Sequence, residues 1–305
     1  MISLTLVKSR QCEINLRVPT QKRMIPDHQT NFLYLSNLLP KEYPDFFKRF
    51  ETVLKECDIP FDFLLDTQDV WAVDYMPVQT SKDEFIQFRY EPDYLMDTPE
   101  NKATISNVDA ICKSIGIKPI KSNVNLDGGN VTRWDDSVIL CEKVFFENEE
   151  LEEDDLVEEL LEHFNLREER LFFVPWDEND FTGHADGMVR FVGPNTLLIN
   201  DYWQEEEAFQ DLFQSAIEAT ELDVIILPYE PEDDPTLVSA VGLYLNYLEM
   251  EQAVIVPVFN LPSDKKALEI LTEVFKDKKV IPLECVELAR KGGGILNCIS
   301  WNILR

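Results

Sequence analysis

Five amphipathic helical stretches recur along the 305-residue chain, each followed by a similar succession of short strands. "PKEYPDFFKRFETVLKEC" sets Phe46, Phe47, Phe50, Val53, Leu54 and Cys57 on one face, the spacing of a helix with one buried side. "TPENKATISNVDAICKSIG" does the same with Ile105, Val108, Ile111, Cys112 and Ile115. "LEEDDLVEELLEHF" is intensely acidic yet keeps Leu156, Val157, Leu160, Leu161 and Phe164 in a stripe, and "QEEEAFQDLFQSAIEA" and "SDKKALEILTEVFKDK" complete the set. After each helix comes a short apolar strand: "FDFLL", "IKPI", "LFFV", "DVIILP" or "KKVIPL". A longer strand-like segment follows: "VWAVDYMPVQ", "VNLDGGNVTRW", "HADGMVRFV", "LVSAVGLYLNYL" or "GILNCISW". The first four units then add "FIQFRY", "SVILC", "TLLIN" or "AVIVPVF"; the fifth lacks this strand, and "NFLYLS" near the amino terminus can supply it. Units of about sixty residues that borrow the first strand to complete the last describe a closed ring. The expected fold is an α/β propeller with fivefold pseudosymmetry, a single domain over residues 1–305, since no Pro/Gly/Ser-rich linker divides the chain.

Charge narrows the function. Fifty-eight acidic residues against 28 basic ones leave a formal net charge of −30, which argues against nucleic acid, whose phosphates need a basic surface. The same charge keeps a protein soluble and can steer a small cation into an acidic cleft. Six cysteines (Cys12, Cys57, Cys112, Cys141, Cys285, Cys298) are scattered without a CxxC pair, as in a reduced, cytoplasmic protein. "MISLTLVKSRQC" lacks a continuous apolar core, so no signal peptide is expected, and no apolar run approaches the length of a membrane span. The oligomeric state stays open, a homo-oligomer included.

Polar residues stand inside the long strand-like segments on the period of the repeat: Asp74, Asp127, Asp186, Asn246 and Cys298, separated by 53, 59, 60 and 52 residues. In a ring they would converge on the axis. "TQDVWAVDYMPVQ" places Asp69 and Asp74 around an apolar stretch with Trp71 beside them; a carboxylate there is either structural or waiting for a partner. "NLDGGNV" sets Asp127 before two glycines, which suits a tight turn as well as it suits substrate orientation. "FTGHADGMVRF" puts His184 and Asp186 on one strand face by alternation, with Arg190 on the same face. Arg190 could take a substrate carboxylate or pair with one of the many acids. With only three histidines in the chain a His-rich metal site is not expected, and His184 reads as a general acid/base. "GGGILNCISW" offers a thiol, Cys298, whose thiolate a neighbouring cation would stabilise, and Gly293 and Gly294 would let substrate pass close to the backbone. The plainer alternative for a lone cysteine is a buried small hydrophobe, as expected for Cys57 and Cys112 on their helix faces.

A guanidinium fits this set of carboxylates, one histidine and one thiol: it is planar, always charged, and presents N–H pairs that match carboxylates. The carboxylates would hold it, Cys298 would attack its central carbon, and His184 would protonate the departing ammonia and then activate water.

In this order and spacing, Trp71-(x)2-Asp74-(x)2-Pro77, Asp127-Gly128-Gly129, Gly183-His184-Ala185-Asp186 and Gly292-Gly293-Gly294-(x)3-Cys298 resemble the agmatine deiminase and bacterial-type peptidyl-arginine deiminase family, from about Asn31 onward. The resemblance implies the pentein fold, with Cys298 as nucleophile, His184 as general acid/base, Asp74 and Asp186 as guanidinium-binding carboxylates, no cofactor and no metal. It departs from the family pattern at Val73 and "YMP", where Arg and "TGP" are usual, at Asp127, where Glu is usual, and at Asn297, where His is usual. A C–N hydrolase acting on agmatine or a related guanidine is the leading expectation. Peptidyl-arginine deimination, amidino transfer to an amine, and a non-catalytic pentein that binds a partner are the alternatives.

Overall fold

The computed structural model describes residues 23–177, 180–232 and 238–305; Cys12 and the amino-terminal stretch read for a leader lie outside them. The strands gather into five three-stranded sheets. In each, a middle strand pairs antiparallel with an inner strand and parallel with an outer one. From inner to outer, the first sheet is Val78–Ser81, Glu84–Arg89 and Ile120–Asn125, and the second is Thr132–Trp134, Ser137–Cys141 and Leu171–Val174. The third is Val189–Gly193, Thr196–Asn200 and Asp223–Leu227, and the fourth is Leu248–Glu249, Ala253–Val258 and Lys279–Glu284. The fifth closes the ring: Ser300–Ile303 pairs antiparallel with Phe32–Ser36, which runs parallel to Phe61–Leu64. This is the fivefold α/β propeller expected from the repeat.

A parallel pair needs a crossover, and helices supply it. Pro44–Glu56, Val108–Ser114, Glu153–Phe164, Glu207–Ala219 and Ser263–Val274 each join a middle strand to its outer neighbour. Their apolar stripes face inward: Phe46, Phe50 and Leu54 are wholly buried on the first, and Leu156, Leu160 and Phe164 nearly so on the third. Each such side chain contributes about 1.5–3 kcal/mol by leaving water. The middle strands are covered on both faces, so Val138 to Cys141 and Ala253 to Val256 are fully buried without alternation.

Two expectations change. The stretch expected to form one helix from Thr98 to Gly116 breaks in two, Pro99–Lys102 and Val108–Ser114. Thr98 accepts from the Asn101 N–H and Asn107 from the Ala110 N–H, so two N-caps compete with a continuous helix. The long segments thought to be single strands instead divide into a turn and an inner strand. Asp74 sits in the helical turn Ala72–Tyr75, Asp127 just before the turn Gly128–Asn130, and Asp186 in the turn Ala185–Gly187. Cys298 occupies the corresponding turn before Ser300, and Asn246 the connection that follows the turn at Tyr244 and Leu245 and leads into Leu248. The periodic polar residues therefore stand at the entrance of the inner strands rather than within them.

Candidate active site

Those five turns meet at one end of the propeller. Val73 N–H donates to the Cys298 carbonyl at 3.2 Å, tying the first turn to the last. Gly129 lies so close to its neighbours that a Cβ there would come within 2.5 Å of Asp74 Oδ1 and 2.6 Å of His184 Nδ1. Glycine is what lets the second turn pass between a carboxylate and an imidazole from other units.

His184 does not pair with Asp186 two residues away, as strand alternation suggested. Its Nε2 is 2.8 Å from Asp127 Oδ2, and its Nδ1 is 3.6 Å from Asp74 Oδ1. The reason is the helical turn, which breaks the period of two and sends Asp186 elsewhere. Burial alone would depress the imidazole; Asp74, Asp127 and Asp186 outweigh it and raise His184 to about 10, so the ring is an imidazolium at neutral pH. Asp127 Oδ2 also accepts from the Tyr94 hydroxyl at 2.7 Å. Tyr94, on the short helix Asp93–Met96, carries no periodic signal and was not foreseen from the sequence.

Asp186 Oδ2 accepts from Asn297 Nδ2 at 2.6 Å and from Asn246 Nδ2 at 3.2 Å. Asn246 Nδ2 also lies 3.2 Å from Cys298 Sγ. Neither asparagine was a sequence candidate for the site, although Asn246 stood on the repeat period. Of the five described free cysteines, Cys57, Cys112, Cys141 and Cys285 are buried and Cys298 is part-exposed.

The electrostatics are lopsided. Burial, then Asp127, Asp186 and Asp69, push Asp74 well above the usual carboxylate range against the opposing His184, and Asp74 Oδ1 is buried without a hydrogen-bond donor. Burial also raises Asp186, against His184, Asn297 and Arg190. Burial first, then Asp186 and Asp74, push the Cys298 thiol up. Asp69, whose Oδ1 accepts the Trp71 N–H at 2.9 Å, is raised to about 7 by burial, with Glu42 adding to it. His184 acts on both Asp74 and Asp186, and Arg190 acts on Asp186 from across the cavity.

The three consecutive glycines shape the approach to the Cys298 turn. Gly292 ends the helix Val286–Gly292, and Gly293 follows in the left-handed region at φ 69°, a common way to stop a helix. A Cβ on Gly292 or Gly294 would come within 2.2 or 2.6 Å of the Trp71 indole. The room they make is filled by Trp71, which so packs beside the Cys298 turn.

Arg190 is turned away from the cleft. It lies in the inner strand Val189–Gly193, beyond the turn, so alternation does not relate it to His184. Its guanidinium donates to Asp27 Oδ2 at 2.6 Å and to the Tyr247 carbonyl at 3.2 Å, and stacks 4.5 Å from the Tyr247 ring centroid. Between it and Asp186 is a polar cavity of about 20 Å³, room for a water molecule.

Comparison with known proteins bears on the family and the fold. The family model described as Porphyromonas-type peptidyl-arginine deiminase matches residues 44–303. A candidate agmatine deiminase of Latilactobacillus sakei is 27% identical over 152 residues, 41% of each chain. One of Enterococcus faecalis is 23% identical over 182 residues, 50% of this chain and 49% of its own. The matches thus span less than half the length of these relatives. The solved structure of C. jejuni agmatine deiminase superposes with a TM-score of 0.76 at 18% identity, covering 93% of this chain and 96% of that one, a likeness of fold.

Proposed function

Because the chain belongs to the Porphyromonas-type peptidyl-arginine deiminase family, we propose that it hydrolyses a guanidino group, releasing ammonia and leaving a ureido product. The observation that carries this reading is the surplus of buried carboxylates around a part-exposed thiol: Asp74 and Asp186 stay raised although His184 acts on both, and Asp74 Oδ1 has no hydrogen-bond donor. A guanidinium between them would add a further positive charge and donate N–H bonds to both carboxylates. Its charge would lower the Cys298 thiol as well, so that the thiol proton passes to solvent water as substrate arrives.

Cys298 Sγ then bonds to the central carbon. His184, as imidazolium, gives its proton to the departing nitrogen, the C–N bond breaks, and a thiouronium remains on Cys298. Nε2 is held by Asp127, so Nδ1 is the nitrogen turned to the reacting group. The neutral imidazole next takes a proton from water, hydroxide adds to the carbon, and collapse expels the thiolate with the ureido product. Asp127 and Tyr94 keep the ring oriented for both proton transfers.

An agmatine-like small substrate fits better than free arginine. The described cations near the site are already engaged: Lys143 by Asp93 at 2.7 Å and Glu147 at 3.3 Å, and Arg133 and Arg190 by Asp27. None is left to take an α-carboxylate. A thiolate nucleophile suits a reducing, cytoplasmic setting.

The test is to incubate the purified chain with agmatine, arginine and a blocked arginine peptide, following ammonia and ureido product. We expect ammonia from agmatine above the others, and none after Cys298→Ala. Greater turnover of the peptide would shift the assignment to peptidyl-arginine, and amidine transfer to an amine without ammonia would shift it to a transferase. No turnover of any kind, with no labelling of Cys298 by a haloacetamidine, would overturn the enzyme reading.

A further inference from the structure

The side-chain amide of Asn246 is fully committed around the Cys298 turn. Its Oδ1 accepts the Asn297 N–H at 3.0 Å and the Cys298 N–H at 3.3 Å. Its Nδ2 reaches Asp186 Oδ2 and Cys298 Sγ, each at 3.2 Å. The orientation of the amide is determined by this chemistry: reversing it would set an NH2 group against two backbone N–H donors and leave the carboxylate facing an oxygen. Both donors of the amide therefore point at the two groups that carry or acquire negative charge.

We propose that Asn246 is a positioning residue of the reaction: its oxygen holds the turn that presents Cys298, and its N–H groups bridge the sulfur and Asp186 as the thiolate forms. The inference rests on Cys298 being the nucleophile. Before substrate arrives the thiol can donate to Oδ1, which lies 3.4 Å from Sγ. Once the proton has gone, the sulfur can only accept, and Nδ2 is already in place at the same distance range. The amide thus serves both protonation states without moving. It also joins Asn297 in engaging Asp186 Oδ2, which leaves the other carboxylate oxygen for a guanidinium. The titratable groups acting on the sulfur are Asp186 and Asp74, with His184 beyond Asp74; both carboxylates oppose the thiolate, and Asn246 opposes them.

Asn246→Asp isolates the donor, because the new carboxylate still accepts the two backbone N–H groups while offering the sulfur a like charge. The readout is alkylation of Cys298 by iodoacetamide as a function of pH, quantified on the Cys298 peptide by mass spectrometry in the intact, folded chain. We expect the alkylation midpoint to rise by about one pH unit or more. On a turned-over guanidine, kcat should fall about 10- to 100-fold, the size of a lost hydrogen bond to a charged group, with a smaller change in KM. Asn246→Ser, which loses the reach of both ends, should shift the profile the same way, and decides the matter if the Asp variant does not fold. Alkylation with an unchanged pH profile in a folded variant overturns the inference. Because that readout needs no substrate, its failure is separable from failure of the substrate assignment.

Discussion

Asp27 and Asp74 are carboxylates in contrasting settings: Asp27, part-buried, lines the small cavity together with Arg190 and Asp186, and Asp74, buried, lies beside His184. Asp27 receives Arg190 at 2.6 Å, Arg133 at 3.2 Å and Asn302 at 3.3 Å, and burial is outweighed by the two guanidiniums, so its carboxyl is held below the ordinary range. Nearby, Glu249 has Lys278 at 2.8 Å. Asp74 has His184 at 3.6 Å and an oxygen with no donor, and is pushed up. The same fold thus builds one charge cluster that is complete and one that is short of a cation. A buried charge left unpaired is costly, so the incomplete cluster is where a ligand has most to offer.

The largest effect should come from breaking the complete end. Arg190→Met leaves Asp27 with one guanidinium instead of two and vacates the carbonyls of Leu245 and Tyr247. Removing one partner of a buried pair costs about 3–5 kcal/mol, so denaturant unfolding should show a loss of that size. A variant with wild-type stability would mean the two ends do not differ as described.

Asp74→Asn tests the incomplete end and should dissociate activity from stability. Guanidine turnover should fall about 10²- to 10³-fold, as for other groups that hold developing charge in a closed site. Thermal unfolding should be unchanged or higher, since the substitution removes an under-paired buried carboxylate. Equal losses in both measurements would mark Asp74 as structural.

The contrast between the two ends also explains what the sequence could and could not reveal. Cys298, Asp74 and Asp186 were legible because each is a polar residue interrupting an apolar run on the repeat period, and His184 because it stands two residues from Asp186. The ring itself was legible because the helix stripes and "NFLYLS" implied closure. Pairing was not. His184 and Asp186 are two apart in the chain, yet His184 meets Asp127 and Asp74 from other units, a consequence of closure that alternation cannot express. Arg190 looked available because sequence shows an Arg among acids; only the fold brings Asp27 to it across 163 residues. The sequence does not show that Gly292 and Gly294 face Trp71 and Gly293 faces Val238. Tyr94 sits in an irregular connection where no periodicity reports on burial.

A cation reaching the incomplete end should displace protons. Burial raises Asp74 and Asp186, and a guanidinium between them should push both back down, releasing protons to the extent that they are held in the empty site. With Cys298→Ala to prevent turnover, titration calorimetry of agmatine in buffers of different ionisation enthalpy should show net proton release. Affinity should then increase with pH, by up to about tenfold per unit for each proton released. Binding with no proton exchange would show that the carboxylates are already ionised without a ligand.

The smallest effect, and the one that sets the two ends directly against each other, is the pH dependence of stability in Asp27→Asn and Asp74→Asn. Asp27 is depressed, so its ionised form stabilises the fold above its unfolded pKa, and that contribution fades as pH falls through the lower folded value. The deficit of Asp27→Asn relative to wild type should therefore be full near neutrality and shrink in acid. Asp74 is raised, so ionising it costs the fold stability as pH climbs from the unfolded pKa toward the folded one. Any advantage of Asp74→Asn should grow with pH and vanish in acid. Stability differences measured between pH 3 and 8 should run with opposite slopes, because Asp27 is hydrogen-bonded by two guanidiniums and Asp74 has only His184 at 3.6 Å. Parallel slopes would mean that His184 alone satisfies Asp74, and the site would then have no electrostatic reason to prefer a guanidinium.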